Sequence, residues 1–121
     1  MNYFFDSYAI MEILKGNQRY KRYLDFDIIT STLNMAEVYY SLIREIGEEK
    51  AKKKLKRLNP KIINVIKLPI SLEASKFKFF YKKEKLSYID CLGYILAKEM
   101  SLKFLTGDEK FENKKNVEFV K

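Results

Sequence analysis

The stretch NYFFDSYAI, residues 2–10, sets the reading of the whole chain. Its apolar run Asn2–Phe5 has the length of a strand and meets an aspartate, Asp6, where helical spacing begins near Ser7. KFLTGD, residues 103–108, repeats the arrangement, with the strand-length run Lys103–Thr106 leading through Gly107 into Asp108. Further runs at Phe26–Thr30, Ile63–Ile66 and Val117–Val120 predict three more strands. Between them, apolar residues recur at three and four positions: Leu33, Ala36, Tyr40 and Ile43; Ala51, Leu55 and Leu58; Ala74, Phe77 and Tyr81; Ile89, Leu92, Leu96 and Met100. Each set predicts a helix with one face for a sheet. The helix after Pro69 should span about 13 residues, with Ser71 as a candidate cap. Alternating strands and crossover-length helices predict an α/β fold, a three-layer α/β/α sandwich around a parallel sheet of about five strands. In such folds the site lies beyond the C-terminal ends of the strands, where Asp6 and Asp108 fall.

At 121 residues and 47% hydrophobic content the chain fits one domain, residues 1–121, with no repeat or linker to divide it. The N-terminal segment has no basic leader, and Asp6 and Glu12 interrupt its apolar stretch. It fits neither a signal peptide nor a membrane span, so a soluble, cytoplasmic protein without a membrane partner is expected. Cys91 is the only cysteine and histidine is absent, which excludes an intrachain disulfide and the usual zinc ligand sets. Any metal must be held mainly by oxygen. The net charge of +8 fits a polyanionic partner. It equally fits a Lys- and Glu-rich chain whose lysines serve solubility.

Four carboxylates carry the candidate chemistry, and three have structural readings. Asp6 can cap the helix beginning near Ser7, and Asp90 stands in a capping-box spacing with Ser87. Asp108 can cap a short turn before Phe111. Glu37 borders the stripe expected to face the sheet, so it needs a partner: Arg44, Arg57 or a metal ion. Taken together, two aspartates follow strands and the other two acids lie on helices after strand two and before strand four. All four can converge on one sheet edge, as a hard oxygen-ligand site suited to Mg²⁺ or Mn²⁺ and to phosphate chemistry.

Two basic clusters, Lys50, Lys52, Lys53, Lys54, Lys56, Arg57 and Lys61, then Lys76, Lys78, Lys82, Lys83 and Lys85, fit either a phosphate-backbone contact or solvated helix faces. Tyr39, Tyr40, Phe79, Phe80 and Tyr88 fit either base stacking or core packing.

With these residues in place, FFDSYAI, TLNMAEVYY, YIDCLGYILAKE and KFLTGDEKF resemble the successive acidic motifs of the PIN-domain nucleases, most closely the VapC-type toxins, over Asn2 to Val120. The resemblance implies metal-site roles for Asp6, Glu37, Asp90 and Asp108, with Ser7 and Thr106 as supporting hydroxyls. It further implies metal-assisted hydrolysis of RNA leaving a 5′-phosphate and a 3′-hydroxyl, a homodimer, and inhibition by a cognate antitoxin. Two positions depart from the pattern. Lys110 stands where many relatives have a further acid, with Glu112 as a nearby substitute, and Asp90 is followed by Cys91, Leu92, Gly93 and Tyr94 instead of small residues. A non-catalytic RNA-binding domain of the same fold, and a receiver-like signalling domain, are the competing readings.

Overall fold

A computed structural model describes residues 2–121. The elements are β1 (Tyr3–Phe5), α1 (Ser7–Leu14), β2 (Ile29–Ser31), α2 (Thr32–Ile46), α3 (Glu48–Lys56), β3 (Lys61–Ile63), α4 (Leu68–Phe80), α5 (Tyr88–Glu99), β4 (Lys103–Thr106) and β5 (Val117–Phe119). All strand pairs are parallel, and the five strands lie in the order β3-β2-β1-β4-β5. This is the expected three-layer α/β/α architecture. The order reverses between β1 and β4, which opens a crevice at their C-terminal ends. It also differs from the 2-1-3-4-5 order of receiver-like domains, which removes that reading.

Strand alternation divides the core. Tyr3, Phe5 and Leu105 pack on one face with Ala9, Ile10, Val38, Leu42 and Ala51 from α1, α2 and α3. Phe4 and Phe104 point to the other, against Ala74 of α4 and Cys91, Tyr94, Leu96 and Ala97 of α5. The rings of Phe4 and Phe104 stack at 6.0 Å. Helix α5 rests directly on this pair at Gly93, where a Cβ would lie 3.0 Å from Phe4 and 3.2 Å from Phe104. The close approach brings the N-terminus of α5 down beside the ends of β1 and β4.

Several expectations are corrected. Helix α2 turns Asn34, Val38 and Leu42 to the core, while Leu33, Ala36, Tyr40 and Ile43 are exposed. The helix is rotated by one residue because its inward stripe includes a satisfied polar residue, Asn34, which an apolar count passes over. Helix α5 buries a broad face, so Cys91, Tyr94 and Ala97 join Leu96, and Met100 is exposed. Strand β3 starts two residues early because its pairing with β2 aligns Ile29 with Lys61. Helix α4 has the expected 13 residues, but Lys67 is its N-cap and Ser71 lies inside its first turns.

Candidate functional site

The sequence-derived acids occupy one place. Asp6, Glu37, Asp90 and Asp108 all line a cleft of about 510 Å³ at the C-terminal edge of the sheet, bounded by α1, α2 and the start of α5. Ser7, Tyr8, Lys15, Ser41 and Arg44 share the lining, and Glu112 does not.

Each acid reaches the cleft by a different local route. Asp6 ends β1 and occupies the N-cap position of α1, yet its side chain makes no capping bond. Instead its Oδ2 accepts from Thr106 Oγ1 at 2.7 Å, across the switch point. The other oxygen, Oδ1, is buried with no hydrogen-bond partner. Burial, and then the neighbouring Asp90 carboxylate, push the Asp6 carboxyl up to about 7. An unpaired carboxylate oxygen in this environment is costly, and a cation at Oδ1 would remove the cost.

Asp90 and Asp108 do cap as well. Ser87 and Asp90 form a reciprocal box, with Asp90 N–H donating to Ser87 Oγ and Ser87 N–H donating to Asp90 Oδ2, both at 3.1 Å. Burial raises the Asp90 carboxyl, those Ser87 bonds oppose the rise, and Asp108 adds to it. Asp108 Oδ1 accepts from Lys110 N–H at 3.0 Å, and Asp108 N–H donates to Thr106 Oγ1 at 3.1 Å. Thr106 therefore ties Asp6 and Asp108 to one hydroxyl.

Glu37 is half-buried on α2 and, among the described residues, forms no ion pair with Arg44, Arg57 or any other cation. Arg44 shares its cleft, with the guanidinium 5.6 Å from the Tyr40 ring. Being only half-buried, Glu37 does not need the cation partner that full burial would have required.

The acids converge on the cleft without forming a tight cage: among the described residues, no three acidic side chains stand close enough to hold an ion together. The caps account for part of the spacing, because they draw one oxygen each of Asp90 and Asp108 toward their own helix termini. The four carboxylates offer oxygen donors only, and one of them, Asp6 Oδ1, has no partner within the protein, which is the donor chemistry that suits a hard divalent cation.

Gly107 shapes the wall behind Asp108. A Cβ there would collide with Tyr8 Cε1 and with the Val120 carbonyl oxygen, so the Tyr8 ring sits directly on the backbone turn. Sequence reading missed Tyr8, and it missed Asn34 and Ser31 beneath the site. Asn34 carried a usable signal, since it lies three residues before Glu37 and so on a neighbouring helical row.

The basic clusters lie on opposite faces of the sheet, one on α3 and one around α4, and several of their members are already engaged. Lys52 pairs with Glu48, Lys76 with Glu73 and Lys61 with Asp27. Lys54 donates to the Leu14 carbonyl and Lys78 to that of Leu86. Of the aromatic residues, Tyr39 packs at the core, whereas Tyr40, Phe79, Phe80 and Tyr88 are exposed.

A parallel sheet with an acidic cleft at its switch point is the class of protein in hand, and the PIN domain matches the sequence over residues 3–117. The chain belongs to the PIN-domain family. Its fold is similar to the toxin–antitoxin complex from Klebsiella pneumoniae, with a TM-score of 0.73 and 19% identity over 97% of this chain and 96% of that one. VapBC2 from Rickettsia felis, bound to a DNA fragment from its promoter, gives 0.76 and 16% over 99% and 98%. VapC20 from Mycobacterium tuberculosis, described as a sarcin-ricin loop cleaving toxin, gives 0.73 and 13% over 92% of each chain. No curated protein matches the chain significantly. No described helix is long and apolar enough to cross a membrane.

Proposed function

We propose that this PIN-domain protein is an endoribonuclease dependent on Mg²⁺ or Mn²⁺, and the toxin of a toxin–antitoxin pair. The observation that carries the reading is the buried, unpartnered Oδ1 of Asp6 in a cleft it shares with Glu37, Asp90 and Asp108 and with two further acids, Glu12 and Glu45. Asp6, Glu37, Asp90 and Asp108 would hold the cation. When bound, it would lower the pKa of a water and offset charge on the phosphoryl oxygens. The chain's own contribution is positional. Thr106 orients Asp6 through its hydroxyl and anchors the backbone of Asp108, the Ser87 box fixes Asp90, and α2 brings Glu37 to the opposite wall. Lys15 and Arg44 at the cleft supply attraction for a phosphate backbone, in keeping with the net charge of +8.

A homodimer is part of the reading. Helix α4 exposes Leu68, Leu72, Phe79 and Phe80, the two phenylalanines at 70% and 78%, an apolar surface of the kind a second copy covers. The antitoxin would act by closing the acidic cleft. The test is RNA cleavage under Mg²⁺ titration with wild-type protein and Asp6→Asn, reading for 5′-phosphate products. Cleavage by the wild type alone is expected, and equal rates would remove Asp6 from the site.

A second reading is supported by the spacing of the acids and by Lys110, whose charge acts on Asp90. In it the chain is a non-catalytic RNA-binding domain. Salt-sensitive RNA binding without cleavage at any Mg²⁺ or Mn²⁺ concentration would favour it.

A further inference from the structure

Beneath the cleft lies a hydrogen-bond chain whose direction can be worked out. Ser31 is the N-cap of α2, and its Oγ accepts from the Asn34 backbone N–H at 3.2 Å. Its own proton is therefore free for Asn34 Oδ1, 2.6 Å away. That orients the amide so that Nδ2 donates to Ser7 Oγ at 2.9 Å. Asn34 is fully buried, Ser31 is 2% exposed and Ser7 is 8% exposed. With Ser7 accepting from the buried side, its hydroxyl proton is the donor left over, and Ser7 lines the cleft. Asp6 Oδ1 does not take that proton, since this atom has no partner.

The cap alone needs only the backbone N–H of residue 34, and a leucine would continue the stripe of Val38 and Leu42. The amide therefore supplies something that neither the helix nor the core requires. Ionised carboxylates only accept hydrogen bonds, so beside Asp6 a donor to an anionic substrate has to come from a neighbouring residue, and Ser7 follows Asp6 directly in the lining of the cleft.

We propose that Asn34 is a positioning residue that holds the Ser7 hydroxyl as a hydrogen-bond donor to a non-bridging oxygen of the RNA phosphate. The proposal rests on the nuclease reading and is tested by a double-mutant cycle on the full chain. Ser7→Ala and Asn34→Leu are each expected to lower kcat roughly 10- to 100-fold, the scale of one hydrogen bond to a charged group, with KM little changed. The double variant should lose no more than either single variant, and Ser7→Thr should retain most of the rate. Losses that multiply would overturn the proposal, because Asn34 would then act independently of Ser7.

Exchange of the Asn34 side-chain amide protons, followed by NMR, supplies a readout apart from activity and avoids any misfolding of Asn34→Leu. Slow exchange in the wild type and faster exchange in Ser7→Ala are expected, and identical rates would overturn the bond itself. RNA left uncut by the wild-type chain would instead overturn the nuclease reading, and with it the phosphate as the partner of Ser7.

Discussion

Thr106 Oγ1 donates to Asp6 Oδ2 at 2.7 Å across the junction of β1 and β4, and the second oxygen of the same carboxylate is buried without a partner. One oxygen is held in place by the fold, and the other has no partner within it. Burial, and then the neighbouring Asp90 carboxylate, raise the carboxyl from its ordinary 3.8 to about 7, against the lowering effect of the Thr106 bond.

That shift ties stability to pH. The folded protein holds the Asp6 proton up to about pH 7, whereas the unfolded chain releases it near 4. The stabilisation is thus fully present below the unfolded value and is lost as pH rises through the folded one. The loss is on the order of a few kcal/mol. Urea titrations from pH 4 to 8 in a chelator should show stability falling across this window. Asp6→Asn should flatten the slope, and Mg²⁺ should restore stability at pH 7.5 in the wild type only.

The double duty of Asp90 can be separated from that of its capping partner. Ser87→Ala should cost about 1 kcal/mol through loss of the cap while leaving most cleavage intact. Asp90→Asn keeps an oxygen able to accept from the Ser87 N–H, so it should fold with a smaller loss yet abolish cleavage. Paired thermal melts and cleavage rates check both outcomes, and a fully active Asp90→Asn would make Asp90 a cap alone.

Gly107→Ala should destabilise the protein by about 1–3 kcal/mol, because the new methyl meets both the Tyr8 ring and the Val120 carbonyl oxygen. Shortening the ring in a Tyr8→Ala/Gly107→Ala double variant removes only one of these collisions. Equilibrium denaturation should therefore show partial rescue.

Lys15 and Arg44 line the acidic cleft without being part of the carboxylate set. In an Asp6→Asn background, which permits binding without cleavage, RNA affinity should fall with salt. Lys15→Ala and Arg44→Ala should each lower the magnitude of the log–log slope by about 0.7, the value for one single-strand phosphate contact. Fluorescence anisotropy at several salt concentrations measures it.

The alternating fold and its parallel sheet were legible because strand-length apolar runs and helical spacing are local properties. Asp6 and Asp108 were legible for the same reason, each standing just beyond a strand in a fold whose sites lie at strand ends. The facing of α2 was not, since the stripe of Asn34, Val38 and Leu42 contains a polar residue satisfied by Ser7 and Ser31, both remote from any hydrophobic count.

The sequence by itself determined the absence of histidine and the single cysteine, the basic excess and the order of the four acids, because composition and spacing do not depend on how the chain packs. Only the tertiary structure decided that β1 and β4 are neighbours, with Phe5 opposite Leu105 in register. That pairing sets Thr106 against Asp6, and Gly93 lets α5 bring Asp90 down beside them. The unpaired oxygen of Asp6 follows from this packing, since burial and hydrogen-bond satisfaction depend on which distant residues arrive at the same place.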